Sequence, residues 1–332
     1  MKRLFIILIF ALSILTENPA SSQEVRSSLT SDLTKTYGYY IGQKLSVEKI
    51  QNELPTLSAR ALQAQLEFDL EFKGSYENIE KELQKLFHDR WTKYKSQLRS
   101  KFTSNLGSTS ISKAQADAFI RTIRLRAKGQ ISPPILETLL SYNPKFQISP
   151  VKELMRGFKN TYRTKGHPKA KGVDFQIDYP RSWRAKEGRR PNVIQLMTSK
   201  NGRGLESIIL MVKKLPLPSG YKITDQELDE LFSQQGLREM LPKGANFIST
   251  QPIIMDNHKG GMMVFDQSLQ RIDQKIFFRS LHFITLYEKK MIFIQCMVGS
   301  QKADQRELTK RFRRLEPLFK LVANSFIIQS QY

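Results

Sequence analysis

Apolar residues in this chain recur at two different periods, and the change comes once, near residue 165. From about Ser31 to Tyr162 they return every three or four positions, the spacing of helices that each bury one stripe. The clearest run is Ile79, Leu83, Leu86, Phe87, Trp91, Tyr94, Leu98 and Phe102, which predicts one long helix from about Ser75. Ahead of it, Leu62, Leu66 and Leu70 predict a helix that begins near Ser58 and stops at Gly74. Farther on, Ser112 with Gln115 makes a capping box before Ala116, Phe119, Ile120 and Ile123, and Gly129 stands where a C-terminal cap belongs. Another helix follows Ser149-Pro150, with Val151, Met155, Phe158 and Tyr162 on one side; proline fits the first turn because its missing N–H has no helical partner there. The aromatic stripe reads as core packing rather than a ligand-stacking surface, because its spacing is that of a single helix face.

Residues 164–172 hold two glycines, Pro168 and no large apolar side chain, which marks a linker or long exposed loop. Beyond it the period is that of strands: 173–179, 193–197, 207–212, 247–255, 262–269, 275–287 and 291–298. Two helices interrupt them. One opens on the capping box Thr224-Asp225-Gln226-Glu227; the other is C-terminal, with Leu308, Phe312, Leu315, Phe319, Val322 and Phe326, and Pro317 is expected to kink or divide it. Strands joined by short turns argue for an antiparallel sheet with helices on its faces. The expected class is therefore α+β: an N-terminal all-helical domain over 23–165, then an antiparallel sheet flanked by helices over 172–332.

At 332 residues, 40% hydrophobic and 25% charged, the chain has apolar material for one large or two ordinary domains. Cys296 is the one cysteine, so no intramolecular disulfide can form. His88, His167, His258 and His282 are scattered without zinc-ligand spacing, and neither metal nor cofactor is expected. Met1-Lys2-Arg3, the apolar run Leu4 to Leu15 and the small-residue segment ending Ala20-Ser21-Ser22 have the outline of a secretory signal peptide, cleaved before Gln23. The run is shorter than the roughly 20 apolar residues of a spanning helix. The mature chain is thus expected to be secreted or periplasmic. The net charge of +22, and +21 without residues 1–22, favours anionic partners. Nucleic acid is a weak choice among them, since no helix-turn-helix, zinc-finger or aromatic RNA-binding signature is present.

Phe175-Gln176-Ile177-Asp178-Tyr179-Pro180-Arg181-Ser182-Trp183 resembles the opening strand and Tyr-Pro-x-x-Trp turn of the PsbP-like family. A strand ending in Leu215-Pro216, a helix, four strands and a terminal helix closing on Ala323-Asn324-Ser325-Phe326 are similar to that family's order and its Ser-Phe ending. The resemblance spans residues 172–332. It implies an α/β/α sandwich that acts mostly by binding, and no catalytic residue carries over. The residues themselves agree, with Pro180 ending a strand and Trp183 capping the sheet.

Charge is the strongest anomaly. Lys152, Arg156, Lys159, Arg163, Lys165, Lys169, Lys171, Arg181, Arg184, Lys186, Arg189 and Arg190 face only Glu153, Asp174, Asp178 and Glu187. Two readings stand side by side: a basic face that holds an anionic partner, with Arg181, Arg184, Lys186, Arg189 and Arg190 as contacts, or a solvated surface that keeps the chain soluble. Cys296 raises a second question. A three-residue turn Glu288-Lys289-Lys290 would pair Tyr287 with Met291 and set His282 directly opposite the thiol, whereas a loop one residue different breaks that pairing. Ile292, Ile294 and Val298 share the cysteine's face, so an inert buried thiol is the expectation. Gly202-Arg203-Gly204 precedes a strand and reads as a hairpin turn, not a phosphate loop. Asp225, Glu227, Asp229 and Glu230 serve a helix start rather than acid–base work. The sequence therefore points to an exported, non-enzymatic binding or assembly protein. The rivals are an electrostatic binder of anionic membrane or polymer, and a thiol or hydrolytic enzyme.

Overall fold

The computed structural model describes residues 22–107, 110–271, 274–301 and 304–332. The expected signal peptide, residues 1–22, lies outside them except for Ser22, where the first helix opens. The described residues divide into two compact units, 22–148 and 149–332.

The first unit is helical: α1 (Ser22–Glu53), α2 (Ser58–Phe87), α3 (Arg90–Gly107), α4 (Lys113–Ala127), α5 (Ile135–Ser141) and α6 (Pro144–Ile148). The predicted break at Gly74 is absent, and α2 runs straight through it. Its glycine answers a packing need instead, since an added Cβ would stand 2.7 Å from Pro144 Cγ. The true break is at His88, whose φ of +49° ends α2, so the run expected as one helix from Ser75 to Phe102 is shared between α2 and α3.

The predicted core stripe of α2 is also displaced. Leu62, Leu66 and Leu70 are 46%, 55% and 78% exposed, while Ala61, Ala64, Phe68, Phe72, Tyr76, Ile79 and Leu83 are buried. Aromatic rings dominate this core: Tyr40 stacks on Tyr76 with centroids 4.0 Å apart, and Tyr37 meets Trp91 edge-on at 5.1 Å. A buried polar link ties three helices, Gln43 Nε2 donating to Gln65 at 3.1 Å and Arg126 donating to Gln43 at 2.9 Å. The Ser112–Gln115 capping box is present at the start of α4, and Gly129 after it has a φ of +85°.

The second unit opens with α7 (Val151–Met155), only five residues long. Gly157, at φ +81°, turns the chain out of the helix, so Phe158 and Tyr162 leave the face predicted for them. β1 (Lys159–Arg163) follows and pairs antiparallel with β2 (Phe175–Pro180). Residues 164–172, expected as a linker between domains, are thus the β1–β2 connection inside this unit. Then come β3 (Arg184–Glu187), β4 (Val193–Thr198), the short turn α8 (Ser199–Gly202), β5 (Glu206–Lys214), α9 (Asp225–Leu231) and α10 (Gln234–Glu239). β6 (Asn246–Met255), β7 (His258–Arg271), β8 (Gln274–Tyr287), β9 (Lys290–Ser300), α11 (Gln305–Asn324) and β10 (Ile327–Ile328) complete it.

Seven strands form one antiparallel sheet in the order β3-β4-β5-β9-β8-β7-β6, and β1-β2-β10 form a small second one. α11 continues unbroken past Pro317. Burial of Leu308, Phe312, Leu315, Phe319 and Val322 outweighs the one helical hydrogen bond that proline forgoes. That stripe packs on one sheet face with Ile208, Leu210, Leu281, Phe283, Ile294 and Val298. Trp183 is buried in the same core, edge-on to Phe319, as the cap expected of it. On the other face Phe232, Leu237 and Met240, from the α9–α10 segment, cover Met263, Phe265, Ile284 and Phe293. The class is α+β, a helical unit followed by an antiparallel sheet with helices. Among the described residues no helix is long and apolar enough to cross a membrane.

Candidate functional site

The β8–β9 turn is one residue shorter than the sequence suggested. Tyr287 pairs with Lys290 across the two residues Glu288 and Lys289, with Glu288 at φ +54°. That single step moves every side chain of one strand relative to the other. Cys296 stands opposite Leu281, and His282 stands opposite Gln295. The thiol therefore packs under α11 among Ile294 and Val298, where burial pushes its pKa up. His282 points to the other face, 3% exposed and edge-on to Phe265 at 4.8 Å. Burial pushes its pKa down to about 3, so the imidazole is neutral, and its Nδ1 has no hydrogen-bond partner. A thiolate–imidazolium pair is excluded by geometry, and the inert buried thiol holds.

Three buried carboxylates anchor the unit. Glu153 on α7 accepts from the backbone N and the Oγ of Ser182, both at 2.8 Å. Burial raises its pKa to about 7, against the pull of these bonds and of the Arg181 backbone N–H. Glu206 on β5 accepts from Ser199 Oγ and from the Arg311 guanidinium on α11. Burial raises its pKa, but the two bonds and the positive charges of Arg311 and Lys200 together outweigh it and hold the carboxyl below its usual range. Asp266 on β7 takes a fork from Arg279 at 2.8 Å, and Arg279 continues to Thr309 of α11 at 2.9 Å. Each carboxylate fastens one element to another, and none faces another across a site.

The basic stretch is partly neutralised where it lies. Lys159 pairs with Asp178 at 2.5 Å, Arg163 grips Asp174 through two bonds at 3.0 and 2.7 Å, and Lys169 pairs with Glu187 at 2.9 Å. Lys171 donates to Asn192 at 2.6 Å. Of the five predicted contact residues, Arg181 is half-buried just past β2, where its backbone N donates to the Phe158 carbonyl at 3.1 Å. Arg189 and Arg190 lie in the β3–β4 turn, and Arg184 and Lys186 alternate along β3 onto a single sheet face. The structure thus brings Arg184 and Lys186 together on one face and leaves Arg181 apart from them in the chain's path.

That face has a regular make-up. One cross-strand row reads Lys186, Leu196, Ile209, Gln295, His282 and Met263, and the next reads Arg184, Thr198, Ser207, Met297, Ser280 and Phe265. Neither row contains a carboxylate. Val193, Leu196, Ile209, Ile276, Phe278 and Met297 form an apolar cluster here in which every member is a strand residue. Sequence reading missed this buried cluster because it depends on the register of five ladders, which periodicity alone does not fix. The other expected sites resolve as structure: Gly202-Arg203-Gly204 joins β4 to β5, the Thr224–Glu227 box caps α9, and among the described residues no cluster suits a metal ion.

Neither a protein-family model nor a curated protein matches the chain. Among solved structures it is similar to cyanobacterial PsbP (CyanoP) from Synechocystis sp. PCC 6803, at 15% identity over 51% of this chain and 92% of that one, TM-score 0.33. The likeness is to a PsbP-type protein. A second similar structure is LpqN of Mycobacterium tuberculosis, involved in cell envelope biogenesis, at 11% identity over 51% of this chain and 90% of that one, TM-score 0.30. A third, from Bacteroides thetaiotaomicron VPI-5482, is 13% identical over 47% of this chain and 45% of that one, TM-score 0.26. At these identities and TM-scores the likenesses carry nothing about ligand or partner.

Proposed function

We propose that this is an exported, non-enzymatic binding or assembly protein whose PsbP-like unit docks a protein or another component of the cell envelope. The observation that carries the reading is the placement of Cys296 and His282 on opposite faces of the sheet, which separates the pair on which a thiol mechanism would depend. The buried carboxylates support it, because each is engaged by neighbouring elements. Export rests on the sequence of residues 1–22, with cleavage before Gln23. The electrostatic reading draws support from Arg184 and Lys186 sharing a face, and it is weakened by the pairing of Lys159, Arg163 and Lys169 within the chain.

Affinity capture from envelope extract tests the reading, using the chain from Gln23 beside a charge-reversed Arg181/Arg184/Arg189/Arg190 variant. Specific docking predicts one component that survives a high-salt wash on both baits. Anionic lipid or polymer, lost with salt and with the variant, would replace it by the electrostatic reading.

A further inference from the structure

The outward side of α11 carries positive charge that no ion pair of the described residues answers. Over residues 305–315 five basic side chains stand against one acid, Glu307. Arg311 is engaged by the buried Glu206. Arg306, Lys310, Arg313 and Arg314 are exposed and, among the described residues, hold no ion pair. Like charges three and four positions apart repel along a helix, and Arg306 stands in the first turn, where the helix dipole disfavours a cation. Farther along the same helix Lys320 takes the ordinary arrangement, paired with Glu316 at 2.7 Å. The stretch 152–190 differs as well, since its Lys159, Arg163 and Lys169 are paired within the chain. Stability of the helix therefore gives no reason to keep this cationic row, and an anionic partner outside the chain does.

The shape of the row and its surroundings name that partner. From Arg306 to Arg313 it extends about 10.5 Å, at ~1.5 Å per residue. Gln305, Arg306, Thr309, Lys310 and Arg313 line an open depression there, and Arg279 fixes its polar side by donating to Thr309 at 2.9 Å. Lys200, exposed in the β4–β5 turn, widens the row into a patch. It lies near enough to Glu206 to lower that carboxyl's pKa, and Glu206 holds Arg311, the chain neighbour of Lys310. The apolar stripe of α11 is already taken up by the core, and the exposed positions 306, 310, 313, 314, 320 and 324 are all polar. Such a patch rests on phosphate headgroups without inserting among acyl chains, unlike an amphipathic helix that buries its apolar face in the bilayer. Resting on the export reading above, we infer that α11 holds the protein against an anionic phospholipid bilayer, with headgroup phosphates meeting Arg306, Lys310, Arg313, Arg314 and Lys200.

Co-sedimentation with vesicles tests this on the chain from Gln23, which lacks the apolar run Leu4 to Leu15. The vesicles are phosphatidylcholine alone, or phosphatidylcholine and phosphatidylglycerol in equal parts. Binding is expected to the mixed vesicles only, and it should be lost at high salt. Each basic side chain near such a surface is worth about fivefold in affinity. Arg306→Gln, Lys310→Gln, Arg313→Gln and Arg314→Gln together should therefore weaken binding at least about a hundredfold while circular dichroism stays native, and Lys310→Gln alone about fivefold. Lys93→Gln, Lys101→Gln, Lys113→Gln and Arg121→Gln together remove as much charge from exposed positions of the helical unit, and should weaken it less than about threefold. Absence of binding by a folded chain overturns the inference, as does equal binding to phosphatidylcholine or an equal loss in the two fourfold variants. Binding of soluble polyphosphate without binding of vesicles overturns it in favour of a linear polymer. Failure here with envelope capture intact removes only the membrane patch; loss of that capture with vesicle binding intact removes the docking reading instead.

Discussion

Across the β8–β9 ladder Cys296 faces Leu281, while His282, one residue along, points away from the thiol to the other side of the sheet. The native thiol should therefore resist alkylation and react only on unfolding, with Cys296→Ala leaving binding unchanged. The sharper test is His282→Cys. Under mild oxidation it should form no disulfide with Cys296, because adjacent ladder positions direct their side chains to opposite faces. A cross-link in the folded protein would restore the longer turn and the catalytic pair with it.

Glu153 makes stability depend on pH in an unusual direction. Its pKa is raised to about 7 in the folded chain, so the folded state holds a proton that the unfolded state has released above its ordinary value of 4.5. Stability should then fall as pH rises from about 5 to 8, by as much as ~3 kcal/mol from this group. Glu153→Gln should flatten that limb and leave the variant more stable than the parent at pH 8. Urea unfolding at a series of pH values measures it, and a slope unchanged by the substitution would remove Glu153 as the cause.

The Glu206–Arg311 pair should behave oppositely. Arg311→Leu strands a buried carboxylate, and a loss of about 3–5 kcal/mol near neutral pH is expected. Because the folded pKa of Glu206 is depressed, the pair contributes above the unfolded value and its contribution disappears as pH falls through the folded one. The variant and the parent should thus converge in acid.

Leu62, Leu66 and Leu70 mark where periodicity misleads. Their spacing of four draws a stripe, but Ala61, Ala64, Phe68, Phe72 and Tyr76 draw a second stripe on the same helix, and tertiary packing chose that one. Alanine at each leucine should shift stability by less than about 0.5 kcal/mol, whereas Phe68→Ala should cost about 3–5 kcal/mol. Thermal melts of the four variants distinguish the faces.

The same limits explain what else was legible. Capping boxes at Ser112 and Thr224, the strand ending at Pro180 and the buried Trp183 rest on local chemistry, and all are present. Gly74 looked like a stop because glycine weakens helices, yet its missing Cβ admits Pro144, a contact 70 positions away in sequence. Residues 151–162 had helical spacing throughout, but Gly157 and pairing with β2 turned the second half into strand. At the candidate site, the composition of β8 and β9 was plain and their register was not, since one turn residue decides which face each side chain takes.

Binding without chemistry is the central claim, and its most direct test is the fate of the captured envelope component. After incubation with the chain from Gln23, its mass should be unchanged, and its affinity should be the same for the wild type and for Cys296→Ala. A new product mass that disappears with Cys296→Ala would contradict the account and make the protein an enzyme.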